Sequence, residues 1–139
     1  MESVSVDEYL EALWALTSER GRSVRVRDIS RSMKVAPPSV VQMIDKMRNN
    51  GLVRHDRRRG VSLTKRGERR ARAVVRNHRL MEVLLVRVVG MDPDDIEHAV
   101  CGAEHYLSER SADFICTFLN HPEVCPHGDK IPRGECCPR

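Results

Sequence analysis

Residues 37–64 decide the fold: Pro37-Pro38-Ser39-Val40-Val41-Gln42-Met43-Ile44-Asp45-Lys46-Met47-Arg48-Asn49-Asn50-Gly51-Leu52-Val53-Arg54-His55-Asp56-Arg57-Arg58-Arg59-Gly60-Val61-Ser62-Leu63-Thr64. Proline is tolerated in a first helical turn, so Pro37-Pro38 opens a helix. Val40, Met43, Ile44 and Met47 keep the helical period, and Asn49-Asn50-Gly51 stops it. Leu52 to Asp56 then alternates as a strand, Arg57-Arg58-Arg59-Gly60 makes a charged turn, and Val61 to Thr64 returns as a second strand. A hairpin with a basic tip, directly after a helix, is the pattern of a winged helix.

Upstream, Val6, Leu10, Leu13, Trp14 and Thr17 share helical spacing, so residues 5–19 read as an amphipathic helix ended by Gly21. Residues 23–26 are short and extended. Residues 27–33, with Ile29 and Met33 inward, form a brief second helix, and Val35-Ala36 turns into the helix that starts at the prolines. Downstream, Thr64 caps a long helix running to Val89, with Gly90 as its stop. Its first half is basic and its second half apolar, as suits a link between a DNA-facing domain and a buried interface. Asp92-Pro93 starts a further helix to about Leu107, and Ser108 caps another through Leu119. Residues 120–139 are rich in Pro, Gly and Cys and read as loop. The expected organisation is mainly α with a small β-wing. A winged helix-turn-helix domain occupies residues 1–73, a helical dimerisation domain 74–120 and a tail 121–139.

Charge is distributed unevenly along the 139 residues. Residues 1–19 hold five acids and no Lys or Arg. Residues 20–79 hold 19 basic and four acidic side chains, a net +15, and residues 80–139 carry a net −6. Such a basic block suits a polyanion, and neutralising phosphate is the usual reason for one. Like charges crowded at the Arg57-Arg58-Arg59 tip repel, and a phosphate backbone relieves that. No apolar run approaches the roughly 20 residues of a membrane helix. Met1-Glu2-Ser3-Val4 lacks the features of a signal peptide, so a cytoplasmic location is expected. In a reducing compartment the five cysteines, Cys101, Cys116, Cys125, Cys136 and Cys137, read as metal ligands or core residues in preference to disulfides.

Metal-type donors recur at helical spacing. On the expected helix 93–107, Glu97, Cys101, Glu104 and His105 fall at i, i+4, i+7 and i+8 and share one face. His78 and Glu82 lie four apart on the long helix, and Glu8 and Glu11 three apart on the first. Three such sets in one small chain favour a metal over a solvated acidic surface. Cys116, Cys125, His127, Cys136 and Cys137 in and before the tail offer a structural zinc site or a redox sensor, although their spacing fits no standard zinc motif and adjacent cysteines chelate one tetrahedral ion poorly.

From Asp7-Glu8-Tyr9-Leu10-Glu11-Ala12-Leu13-Trp14, through Arg76-Asn77-His78-Arg79-Leu80, to Cys101-Gly102-Ala103-Glu104-His105, the chain resembles the diphtheria-toxin-repressor family of iron- and manganese-dependent transcriptional regulators. The likeness covers residues 3–119. It implies a metal-activated repressor of metal homeostasis that acts as a homodimer on palindromic double-stranded operator DNA. It implies a primary metal site of Glu8, Cys101, Glu104 and His105, with Glu11 at a position that binds metal in manganese-type members. A second site uses His78 and Glu82, with Glu97 where iron-type members place a histidine. His98, one residue along, points about 100° away on a helix. An acid at position 8 resembles the manganese type and Cys101 the iron type. A thiolate favours the softer ion, so Fe(II) is expected ahead of Mn(II), with Zn, Co or Ni able to replace it in vitro. The resemblance assigns groove contacts to Ala36, Pro38, Ser39, Val41 and Gln42, with Gln42 suited to a base edge and Val41 to a thymine methyl. The third, SH3-like domain of iron-type members has no counterpart here, so a second site that borrows its ligands is expected to be incomplete. Two other readings compete: a winged-helix regulator answering to thiol oxidation or a small ligand, with structural acids, and a metalloenzyme built on the Cys/Glu/His cluster. The second leaves the basic block without a role.

Overall fold

The computed structural model describes residues 2–21 and 23–139, except the side chains of residues 2–5 and 20. The chain divides into two compact units within one helix, between Ala71 and Arg72.

In the first unit, helix α1 (Glu2–Arg20) buries Val6, Tyr9, Leu10, Leu13 and Leu16. Trp14 and Thr17, expected inside, are half-buried. The Thr17 hydroxyl instead donates back to the Leu13 carbonyl at 2.7 Å. Helices α2 (Val26–Met33) and α3 (Pro37–Asn49) form the helix-turn-helix. Lys34 takes a left-handed conformation between them, and the Ser30 hydroxyl closes the turn on the Val35 carbonyl at 2.6 Å. The two prolines occupy the first turn of α3, where their missing N–H groups cost nothing. Val40, Ile44 and Met47 anchor α3 in the core, and each buried aliphatic side chain contributes about 1.5–3 kcal/mol.

Strands β1 (Val53–Asp56) and β2 (Gly60–Leu63) pair antiparallel, with Val53 opposite Leu63 and Asp56 opposite Gly60. Val24 makes an isolated antiparallel bridge to β2 by exchanging both backbone hydrogen bonds with Val61. That approach leaves no room at Gly60, where φ is +99° and a Cβ would stand 2.5 Å from the Val24 carbonyl oxygen. Helix α4 (Lys65–Val83) starts where Thr64 accepts from the Gly67 N–H and donates to the Gly51 carbonyl.

The second unit takes the rest of α4. The helix expected to reach Val89 keeps α geometry only to Val83, then widens into a π-helical segment, Leu84–Val89, that ends at left-handed Gly90. The expected helix 93–107 also differs. Helix α5 spans only Ile96–Val100, and Cys101 leaves helical geometry at ψ 114°. Gly102 follows at φ +101°, and a short 3-10 turn covers Ala103–His105. Glycine is the costliest interior residue after proline and the one that most readily takes positive φ, so the break falls there. Helix α6 (Glu109–Phe118) is capped by Ser108, whose hydroxyl accepts from the Ser111 N–H. Leu80, Val83, Ala112, Cys116, Leu119, Cys125 and Ile131 form a small core. The tail is therefore packed: Cys125 and Ile131 are buried, and Val124 bridges Lys130.

Candidate metal centre and DNA-facing surface

The metal-type residues of the second unit gather around two buried carboxylates. Glu82 on α4 and Glu104 on the 3-10 turn are 5% and 4% exposed. His78, one turn before Glu82, stands between them. Its Nε2 is 2.9 Å from Glu82 Oε1, and its Nδ1 is 3.4 Å from Glu104 Oε1. His105 Nε2 approaches the same Glu104 oxygen at 3.7 Å, and His127 Nδ1 reaches Glu82 at 3.3 Å. Asn77 holds the turn in place, its side-chain amide donating to the carbonyls of Glu104 and Leu107 at 3.0 Å each. Glu104 and His105, expected in one site, and His78 and Glu82, expected in another, thus form one connected network here.

The network is short of positive charge. Glu82 Oε2 and Glu104 Oε2 are buried without a hydrogen-bond partner, which is costly for a carboxylate unless a cation meets it. Hydrogen bonds to Glu104 and Glu82 raise the His78 pKa to about 10 against the opposing effect of burial. Burial pushes Glu82 up, but hydrogen bonds from His78 and Cys125 prevail and lower it. Protonated His78 thus stands where a cation fits, and the oxygen- and nitrogen-rich donor set suits a divalent transition metal.

A pH prediction follows for the metal-free protein. The raised His78 pKa stabilises the fold fully below its unfolded value of about 6.5 and loses that effect as pH rises through about 10. Chelator-treated protein should lose stability to urea across that window, by an amount on the order of a few kcal/mol. The measurement is the difference between wild type and His78→Gln, which separates His78 from every other group that titrates in that window. Equal pH slopes for the two would remove His78 from the account.

The other expected ligands on α1 and around α5 are less buried than Glu82 and Glu104. Cys101, Glu97 and His98 are exposed around α5. The break at Cys101–Gly102 overturns the expectation that Glu97, Cys101, Glu104 and His105 share one helix face. Glu8 is exposed and Glu11 half-buried on α1. The tail donors divide into two groups. Cys125 and His127 stand with Glu82, whereas Cys116, Cys136 and Cys137 gather around His121, which sequence reasoning had missed as part of a helix-breaking Asn-His-Pro run. Its five-residue offset from Cys116 was the available signal. Asn77 was also missed, though an asparagine inside a helix, a site it does not favour, is itself a hint.

In the first unit Ala36, Pro38, Ser39, Val41 and Gln42 are exposed together at the start of α3. Arg57, Arg58 and Arg59 are exposed at the wing tip. The tip is preformed: Asp56 Oδ1 accepts from the N–H groups of Arg58 and Arg59 at 2.7 and 2.9 Å, and these bonds lower its pKa. Arg25 braces the turn through the Arg57 carbonyl.

A winged helix followed by a helical unit with a buried, cation-deficient carboxylate–imidazole cluster defines a metal-responsive DNA-binding regulator. The chain belongs to the iron-dependent repressor family: residues 1–61 match the model of its N-terminal DNA binding domain and residues 64–133 that of its metal binding and dimerisation domain. It is 32% identical over 128 residues to the HTH-type transcriptional regulator MntR of Lysinibacillus sphaericus (strain C3-41), covering 89% of this chain and 91% of that one. It is 34% identical over 128 residues to the iron-dependent repressor IdeR of Mycobacterium leprae (strain TN), covering 92% and 55%. Among solved structures it resembles the manganese regulator SloR, with TM-score 0.79 and 34% identity over 92% of this chain. It also resembles a manganese-dependent transcriptional repressor in complex with manganese, with TM-score 0.81 and 32% identity over 94%. The chain spans 59% of the length of each of those two structures. Among the described residues no helix is long and apolar enough to cross a membrane.

Proposed function

We propose that the chain is a cytoplasmic, metal-activated repressor of metal homeostasis that binds palindromic operator DNA as a homodimer. The observation that carries this reading is the pair of buried carboxylates, Glu82 and Glu104, each with an oxygen lacking a hydrogen-bond partner and both facing His78. His78, Glu104 and His105 are the core ligands of the sensing site, and the resemblance adds Glu8, Glu11 and Cys101 to it. Glu82 forms a second site, for which Cys125 and His127 supply donors from the segment after α6. A divalent cation supplies the positive charge that lets these carboxylates stay ionised in a buried setting. Fe(II) is the proposed ion if Cys101 takes part. Without that thiolate the set is all nitrogen and oxygen and suits Mn(II).

The reading head is α3 with the wing. Gln42 addresses a base edge, Ser39 a base or phosphate and Val41 a thymine methyl, while Arg57, Arg58 and Arg59 meet the backbone beside the groove. The second unit leaves large apolar side chains uncovered, Tyr106, Phe114 and Phe118 at 81, 66 and 70% exposure, and these fit the face on which a second copy sits.

Because coupling between two ligands is reciprocal, operator DNA must tighten metal binding by the factor with which metal tightens DNA binding. Calorimetric titration of Mn(II) and of Fe(II) under anaerobic conditions, with and without DNA from upstream of the chain's own gene, tests this. Tighter metal binding in the presence of the DNA is expected; equal affinities would reject metal activation.

A further inference from the structure

We propose that the second unit holds a structural zinc ion, separate from the sensing centre, bound by Cys116, His121, Cys136 and Cys137. Cys116 lies buried in the last turn of α6. Asn120 and His121 then take consecutive left-handed conformations, and the His121 N–H returns to the Cys116 carbonyl at 2.8 Å. That reversal brings the imidazole back over the helix end. From the far end of the tail, the turn Gly134–Cys137, closed by the Cys137 N–H on the Gly134 carbonyl, delivers two thiols to the same place.

Four of the six donor spacings lie close to the edges of a tetrahedron. With zinc–sulfur bonds of about 2.3 Å and zinc–nitrogen bonds of about 2.0–2.1 Å, the edges should be about 3.8 Å between sulfurs and about 3.6 Å between sulfur and nitrogen. Cys116 Sγ lies 3.7 Å from Cys137 Sγ and 3.6 Å from His121 Nδ1. Cys136 Sγ lies 4.0 Å from Cys137 Sγ and 3.9 Å from His121 Nδ1. One donor atom from each of the four residues lies within 4.8 Å of all the others. The objection that adjacent cysteines chelate one ion poorly is met by the turn, which spreads Cys136 and Cys137 to nearly an ideal edge.

A second observation points to the same ligand. Three thiolates and an imidazole leave a Zn(II) centre with one net negative charge, and a buried cation already stands beside it. Arg76, 6% exposed, donates to Cys136 Sγ at 3.3 Å and pairs with Asp113 at 2.8 Å on its other side. The tail backbone lies so close to this guanidinium that a Cβ on Gly134 would overlap it. A cleft of about 300 Å³, lined in part by Cys116, His121 and Cys137, provides the way in. The energetic need is also visible. Two of the seven residues of the small second core are cysteines, and a tail of residues 120–139 must be ordered against it. Ordering each residue costs about 1–2 kcal/mol of backbone entropy, which a structural metal offsets. The ion thereby fixes the strap that carries Cys125 and His127 to Glu82.

The test uses the full-length chain, purified under reducing conditions without added metal. Elemental analysis after dialysis against EDTA is expected to give one zinc per chain, released by an organomercurial. With Co(II) as the probe, a Cys101→Ser/Cys125→Ser background should show strong thiolate-to-metal charge transfer and the intense visible bands of a tetrahedral site. Cys137→Ser and His121→Ala should lower zinc content by at least tenfold, whereas Glu104→Gln should keep it, so this site and the sensing reading fail separately. Because the first two variants can fail to fold, the Co(II) spectrum of the background protein stands as an independent reading. Zinc-free protein whose Co(II) form lacks thiolate bands would overturn the proposal. So would an intact mass two hydrogens light under reducing purification, which would assign the sulfurs to a disulfide.

Discussion

Glu104→Gln should abolish the metal-dependent part of DNA binding while leaving the chain folded. Glutamine keeps the shape of the side chain and removes its charge. The backbone of the turn is held independently, because Asn77 grips the carbonyls of residues 104 and 107, which the substitution does not touch. What is lost is the common acceptor: one Glu104 oxygen faces both His78 Nδ1 and His105 Nε2, and the other has no protein partner. Disturbing the surroundings of a metal site typically costs 10–100-fold in affinity, so losing a charged ligand should cost about 100-fold or more. Calorimetry should show that loss for Mn(II) and Fe(II). Fluorescence anisotropy with upstream DNA should show the variant in saturating metal binding no better than chelator-treated wild type. Far-ultraviolet circular dichroism and the retained zinc separate this from unfolding. Wild-type DNA affinity in the variant would mean that Glu104 has no part in activation.

The unequal legibility of the two units has a physical basis. In the first, the signal is periodic and the ends are chemically marked: Val40, Ile44 and Met47 point inward at helical spacing, Pro37-Pro38 and Asn50-Gly51 bracket the helix, and the three arginines 57–59 separate two short strands. Each feature is local, so the sequence displays it directly. In the second unit the decisive events are not local. Helical spacing from Glu97 to His105 predicts one face, but Gly102 breaks the helix, and Glu104 reaches His78 only through that break. Residue spacing also cannot show that Cys125 and His127 turn toward Glu82 while Cys116, Cys136 and Cys137 turn toward His121. That sorting depends on two consecutive left-handed residues at 120 and 121 and on a tail packed through Ile131. The resemblance pointed to residue types and positions; it carried no information about which donors share an ion.

Replacing Arg57, Arg58 and Arg59 together by alanine should weaken DNA binding on every sequence alike and flatten its salt dependence. Each phosphate neutralised contributes about 0.9 to the slope of log affinity against log salt, so three lost contacts should reduce that slope by about 2.7. A slope change of that size implies an affinity loss of about 100-fold near physiological salt. The hairpin should survive, because its tip is set by Asp56 accepting from the N–H groups of residues 58 and 59 and by strand pairing, none of which uses the arginine side chains. Gln42→Ala is the contrasting case. Its side chain stands exposed on α3, and loss of one base contact should cost about 1–3 kcal/mol at a single operator position while the salt slope stays unchanged. Measuring both variants across a salt series on operator and on unrelated DNA therefore separates charge from reading. An unchanged slope in the triple-alanine protein would place the phosphate contacts elsewhere in the basic block of residues 20–79 and leave the wing without a role in DNA binding.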